Sequence, residues 1–444
     1  MKAQTLTYTE WSSALHGRAR GARLPINATL EVTHRCPLAC AHCYNNLPVG
    51  DAEARRRELS AGELKRIIDE LADAGGLWLL FTGGEIFARR DFLDIYRHAK
   101  QRGFLITLFT NGTQITEAIA DTLVAWPPFS IEITIYGRTR ETYERLTGVP
   151  GSFDRCMRGI RLLKERGLPL SLKTVAVTIN QHEIADMQRF AEEELGVPFK
   201  FDGMINARID CSHSPLNVRL SPADMVRLDF ENPARRDAWA QLAEAGVQSA
   251  ARALADAAAA NTSEKRSDKV YHCGAGNSAF AVSPEGKMSL CVLSQKDTYD
   301  LRSGPLREGW DGFLKTVRAR PARRETKCSD CRIRELCSSC AATAELESGD
   351  AETPVDYFCE VAHLRALVVG RTPPAHGDCA FCPGGDSHAR VLEALAGIRN
   401  SASEHSAAAR RPASLAVVNR GSAGTNDGCG GGCQTCGEGR NNEL

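Results

Sequence analysis

The layout of the cysteines constrains this chain more than any other feature. Of 17 Cys in 444 residues, five lie before Cys273 and the other twelve from Cys273 onward. Residues 1–25 show no apolar h-region and no run approaches the roughly eighteen apolar residues of a membrane span. A cytoplasmic chain without membrane insertion is therefore expected, and in that compartment dense cysteines mean metal ligation rather than a disulfide scaffold. Lys+Arg 55 against Asp+Glu 55 leaves no net charge, so nucleic acid is not an expected partner. With 43% apolar and 25% charged residues the composition is that of a globular protein.

Between residues 27 and 206 short apolar runs alternate with amphipathic segments. Runs rich in Val, Ile, Leu, Phe and Thr predict strands over 28–33, 77–82, 104–110, 130–136, 170–178 and 199–205. Ser60 and Glu63 form a capping box ahead of Leu64, Ile67, Ile68 and Leu71, and Gly75-Gly76 ends that helix. Phe153, Met157, Ile160 and Leu163 mark a second helical face, on which Cys156 is a core residue. Such alternation predicts an α/β fold, an open partial (β/α)6 barrel with its chemistry at the C-terminal ends of the strands. The predicted organisation is an N-terminal extension (1–26), the barrel (27–206), a helical bridge (207–265), a small Cys-rich iron–sulfur domain (266–369) and a Gly/Ala/Cys-rich extension (370–444). In that extension one helix is expected near 389–398 and a flexible linker over 401–427.

The first strand runs into Cys36-Pro-Leu-Ala-Cys40-Ala-His42-Cys43. Three thiolates on one loop can hold a 4Fe–4S cluster and leave one iron open to a small molecule. A zinc knuckle with a distant fourth ligand is the alternative. The second strand ends in Gly83-Gly84-Glu85. Paired glycines allow close backbone approach, and a carboxylate can accept hydrogen bonds from an ammonium group.

On these two motifs, residues 30–206 resemble the radical S-adenosylmethionine (SAM) superfamily. The resemblance implies that Cys36, Cys40 and Cys43 hold the catalytic cluster. Gly83, Gly84 and Glu85 would bind the SAM amino group, and His42 would lie near the adenine. Thr134 would reach the ribose and Lys173 the carboxylate, unless they are ordinary strand residues. The implied reaction is reductive cleavage of SAM to a 5′-deoxyadenosyl radical that takes a hydrogen atom from carbon. The electron would come from a ferredoxin or flavodoxin.

Downstream, Cys273, Gly286 and Cys291 precede Cys328-x2-Cys331-x5-Cys337-x2-Cys340 and Cys359. This order resembles the SPASM extension of peptide-modifying radical SAM enzymes, with a last internal spacing of two residues where the family has three. The resemblance implies two auxiliary 4Fe–4S clusters, three clusters in all. Cys328, Cys331, Cys337 and Cys359 would hold one. Cys273, Cys291 and Cys340 would hold the other, with an open iron or with His272, Cys379 or Cys382 as closing ligand. In the tail, Cys429-Gly-Gly-Gly-Cys433-Gln-Thr-Cys436 repeats the spacing of the catalytic loop. It is read as a further metal site, with Cys379 or Cys382 as additional ligands, against a disordered arm of exposed thiols. Cys211 and Asp202 are weighed as residues near the barrel mouth.

The expected function is modification of a peptide or protein side chain, a thioether or carbon–carbon cross-link in a ribosomally made peptide. Sulfatase-maturing members carry Asp directly after the Cys of the Gly-x4-Cys motif. Val292 stands there, which disfavours formylglycine formation. The alternatives are a haem-pathway radical SAM enzyme acting on porphyrin side chains and a non-catalytic iron–sulfur protein. No leader-binding domain is read in residues 1–25, so a separate peptide carrier or the tail is expected to help present the substrate.

Overall fold

A computed structural model describes residues 7–259 and 269–409, with side chains described through residues 248 and 400 respectively. The chain forms two units, Met1–Asn400 and Ser401–Leu444. The first is built on one sheet. Strands β1 (Asn27–Thr33), β2 (Trp78–Gly83), β3 (Leu105–Thr110), β4 (Ser130–Thr134), β5 (Leu170–Val175) and β6 (Phe199–Asp202) lie side by side in chain order, each parallel to the next. No pairing joins β6 to β1 among the described residues, so the sheet is an open (β/α)6 array.

The two-residue period of each strand divides its side chains between two environments. Leu79, Phe81, Ile106, Leu108, Ile131, Ile133 and Leu172 are buried in the core shared with the helices. Their neighbours Leu80, Thr82, Phe109, Thr134 and Lys173 instead line a cavity on the other face. The helices form for the expected reasons. Ala61–Asp73 carries the Ser60–Glu63 capping box and buries Leu64, Ile67, Ile68 and Leu71. Ser152–Glu165 buries Cys156, Ile160 and Leu163.

Three features depart from the sequence reading. The N-terminal extension contains a helix, Tyr8–Ala22, opened by a Thr7–Glu10 capping box. Trp11 and His16 pack on Trp78, the first residue of β2, and Tyr8 packs on Phe129 ahead of β4. The helix thus covers the N-terminal ends of the strands, opposite to the end where chemistry is expected.

Second, the Cys-rich region continues the sheet instead of standing apart from it. Strand β7 (Ala279–Val282) pairs parallel with β1, Asn27 opposite Ala279. It turns back antiparallel into β8 (Lys287–Ser289), which pairs with β9 (Tyr299–Asp300). The order of the nine strands is β9-β8-β7-β1-β2-β3-β4-β5-β6. Third, the helix expected near 389–398 spans His388–Ala409 and so enters the stretch read as linker. The rest of that stretch, with Cys429, Cys433 and Cys436, lies outside the described residues. The bridge is helical as expected, with Pro222–Glu231 and Pro233–Ala259. Among the described residues no helix is long and apolar enough to cross a membrane.

Candidate active site

The C-terminal ends of the strands open into a cavity of about 700 Å³. Cys36, Cys40 and Cys43 lie on its wall, on the loop that leaves β1. Several contacts fix this loop. Arg35 and Cys36 pair with Leu47 and Pro48, and Arg35 Nε donates to Glu58 at 2.7 Å. The amides of Ala39 and Ala41 donate to the carbonyls of Thr147 and Leu146. Arg208, beyond β6, donates to the Cys43 carbonyl at 3.1 Å and to Asn46 Oδ1 at 2.9 Å.

Burial pushes the Cys36 thiol up to about 12, helped by the Glu85 carboxylate. Burial and the neighbouring sulfurs also raise Cys40, and burial with the Glu31 carboxylate raises Cys43. Three thiols so placed ionise only when a cationic centre sits among them, and a metal does this outright. The all-sulfur donor set on one short loop suits an iron–sulfur cluster. His42, between two of these Cys, is half-buried, and its Nδ1 is enclosed and unpartnered. It lines the same cavity with its ring 5.4 Å from that of Tyr136. Burial holds it neutral, its pKa down to about 4.

Gly83 and Gly84 line the cavity, for a reason the sequence does not show. A Cβ on Gly83 would meet the Thr33 carbonyl oxygen at 2.1 Å, and one on Gly84 would meet that of His34 at 2.4 Å. The chain leaving β1 approaches too closely for any side chain, and Gly83 also holds φ +133°. The glycines therefore seat the cysteine loop against β2.

Glu85 turns its carboxylate toward the end of β3. Its carboxylate is 1% exposed and accepts from Thr110 Oγ1 at 2.8 and 2.9 Å, Asn111 N at 2.9 Å and Phe87 N at 3.2 Å. It ties the end of β2 to the end of β3, and it is not among the residues lining the cavity. Glu85→Ala should strip these buried donors of their acceptor and destabilise the chain by about 1–3 kcal/mol, read as a lower unfolding midpoint. Weaker SAM binding at unchanged stability would return the carboxylate to the cofactor.

Thr134 and Lys173 sit opposite each other in the β4–β5 register and both line the cavity. Lys173 lies over the Phe109 ring and pairs with Glu132 at 3.2 Å. Burial brings its pKa down to about 7 against the pull of Glu132. Of the remaining readings, Cys156 is fully buried. Cys211 is exposed in a turn at φ +64°, and Asp202 is exposed and accepts from Met204 N. Neither lines the cavity.

All seven cysteines of the second region line one further cavity of about 350 Å³, and His272 lines it too. Cys291 is pushed up to about 11 by burial, with Cys340 and Cys273 close enough to add to the rise. In the other set Cys359 donates to Cys328, which holds Cys328 down at about 6 and raises Cys359, and Cys337 and Cys328 act on Cys331. Cys291 also lines the barrel cavity, together with Val292. A second link runs from Cys340 to Thr343 Oγ1, 3.3 Å away, which donates to Asn206 Oδ1 at 3.0 Å on the barrel wall. Cys379, His363 and His376 border the second cavity as well, and Cys379 and Cys382 lie against the two histidines. Neither histidine was singled out from the sequence; a His close before a Cys-x2-Cys pair was the available signal.

An open parallel barrel carries three thiols on its first loop and a Gly-Gly-Glu strand end, and residues 30–192 match the Radical SAM superfamily. The chain carries a radical SAM domain followed by a Cys-rich region, in the fold of the SPASM-type maturases. It is similar to the AdoMet-dependent heme synthase of Methanosarcina barkeri, 28% identical over 72% of this chain and 92% of that protein. It is also similar to the PqqA peptide cyclase of Ruegeria pomeroyi, 36% identical over 38% of this chain; the match spans 43% of the cyclase. Among solved structures, Streptococcus suis SuiB bound to precursor peptide SuiA shares the fold at a TM-score of 0.55 and 15% identity, over 79% of this chain and 81% of SuiB.

Proposed function

We propose that this chain is a cytoplasmic radical SAM maturase that abstracts hydrogen from a peptide side chain and forms a thioether or carbon–carbon cross-link in a ribosomally made peptide. The observation that carries the reading is Cys291, which borders the barrel cavity and the auxiliary cavity at once. A substrate side chain in the barrel would lie within reach of both.

In this reading Cys36, Cys40 and Cys43 hold a 4Fe–4S cluster. Bound SAM and that cluster, reduced by a ferredoxin or flavodoxin, supply the hydrogen-abstracting chemistry. The Gly83–Gly84 backbone borders the SAM amino group, since the Glu85 carboxylate is committed to β3. His42 and Tyr136 form an aromatic shelf for the adenine, Thr134 serves the ribose, and Lys173 serves the carboxylate. A bound carboxylate would hold Lys173 protonated. Cys328, Cys331, Cys337 and Cys359 hold one auxiliary cluster, and Cys273, Cys291 and Cys340 hold the other, which accept the surplus electron of cross-link formation. Val292 offers no base for formylglycine formation.

The test separates SAM cleavage from product. Cys291→Ala and Cys331→Ala should each keep SAM cleavage while losing the modified peptide, as mass spectrometry of anaerobic reactions with candidate precursor peptides would show. Normal product from both variants would make the second region merely structural. The second reading, a porphyrin substrate, is favoured by the length of the heme synthase match. Parallel reactions with a propionate-bearing porphyrin decide between the two, because only the true substrate is consumed in step with SAM.

A further inference from the structure

We propose that His363, His376, Cys379 and Cys382 bind a single zinc ion, separate from the iron–sulfur clusters. Their ligand atoms all lie within 4.8 Å of one another, the only His/Cys/Asp/Glu group so drawn together among the described residues. His363 Nε2 is 3.3 Å from Cys382 Sγ and 3.9 Å from Cys379 Sγ, and His376 Nδ1 is 3.2 Å from Cys382 Sγ. A tetrahedral zinc with ordinary Zn–N and Zn–S bonds sets its ligand atoms about 3.3–3.8 Å apart. The spacing thus suits one ion, and the two-imidazole, two-thiol set is one that zinc favours. All four side chains are 9% exposed or less.

The surroundings are built for ligation. The Cys359 carbonyl, 2.7 Å away, accepts from His363 Nδ1–H, which leaves the Nε2 lone pair facing the thiols. The Cys379–Cys382 loop closes as a tight knuckle, Cys382 N donating to Cys379 O and Gly385 N to Cys382 O. Gly384 holds φ +86°, and a Cβ on Gly385 would meet Ala380 O at 2.4 Å. His363 lies one turn after Cys359 on the helix Asp356–Val368. An ion here staples the loop to the helix that presents Cys359 to its auxiliary set.

The test counts zinc and iron by plasma mass spectrometry in the anaerobically purified full chain. About one zinc per chain is expected. Cys379→Ser/Cys382→Ser should lose it at least tenfold and keep its iron. The triple variant Cys429→Ser/Cys433→Ser/Cys436→Ser should retain its zinc. Zinc that follows the tail cysteines, zinc unchanged in the double variant, or a Cys379–Cys382 disulfide without metal would overturn the site. Should the double variant not fold, cobalt substitution of the wild-type chain decides. Tetrahedral cobalt bands with a thiolate charge-transfer band, altered in His376→Ala, support the site, and their absence removes it.

Discussion

Replacing Cys36, Cys40 and Cys43 together by Ala is expected to abolish 5′-deoxyadenosine formation and to remove about four irons per chain. The auxiliary absorbance should remain. The loop should survive the change, because the contacts that hold it are backbone bonds and the Arg35–Glu58 and Arg208–Asn46 pairs, none of which needs a thiol. Of the three sulfurs, Cys36 makes the clearest local bonds, accepting from Leu38 N at 3.4 Å and Asn111 Nδ2 at 3.5 Å, and these are long and weak. Three thiols with raised pKa values and few hydrogen bonds contribute little to folding alone, so activity should fall without a matching loss of stability. SAM cleavage by the triple variant would remove the assignment of the catalytic cluster to this loop.

What could be read in advance follows the range of the physical signal. The six barrel strands and the capped helix at Ser60 are local patterns, fixed by neighbours a few residues away. The cysteine loop was legible because all three ligands fall within eight residues. Strand β7 was not, since Ala279–Val282 is a four-residue apolar run whose partner β1 lies some 250 residues earlier, and nothing local states that pairing. The Tyr8–Ala22 helix carried a Thr7–Glu10 cap in its sequence but exposes most of its surface, so its apolar face is faint. Glu85 shows a different limit. Its position after two glycines could be read, but the direction of its carboxylate depends on Thr110 and Asn111, at and just beyond the end of the next strand. His363 and His376 likewise become ligand candidates only when the chain folds them onto Cys379 and Cys382.

Asp229→Ala is expected to be among the most destabilising single changes in the molecule, because it leaves the Arg365 guanidinium charged at 1% exposure. Arg365 Nε and Nη2 reach Asp229 Oδ2 at 2.9 and 2.7 Å, and Nη1 donates to Leu336 O at 3.0 Å and Ser338 Oγ at 2.9 Å. Its guanidinium also lies 3.7 Å from the Trp239 ring centroid. Removing one partner of such a buried pair costs about 3–5 kcal/mol, since the remaining charge keeps its desolvation penalty without compensation. Arg365→Met should cost less, because Asp229 keeps its second partner, Arg235. The double variant Asp229→Leu/Arg365→Met should recover part of the loss, since no charge is then stranded between Arg365 and Asp229. Leu336 and Ser338 flank Cys337, so both single variants should also lose iron from the auxiliary set that Cys337 is proposed to join. Urea unfolding followed by fluorescence, together with iron counting, reads both effects. If both single variants unfold within 1 kcal/mol of the wild type, the pair contributes little, and the bridge is held to the cysteine region by apolar packing instead.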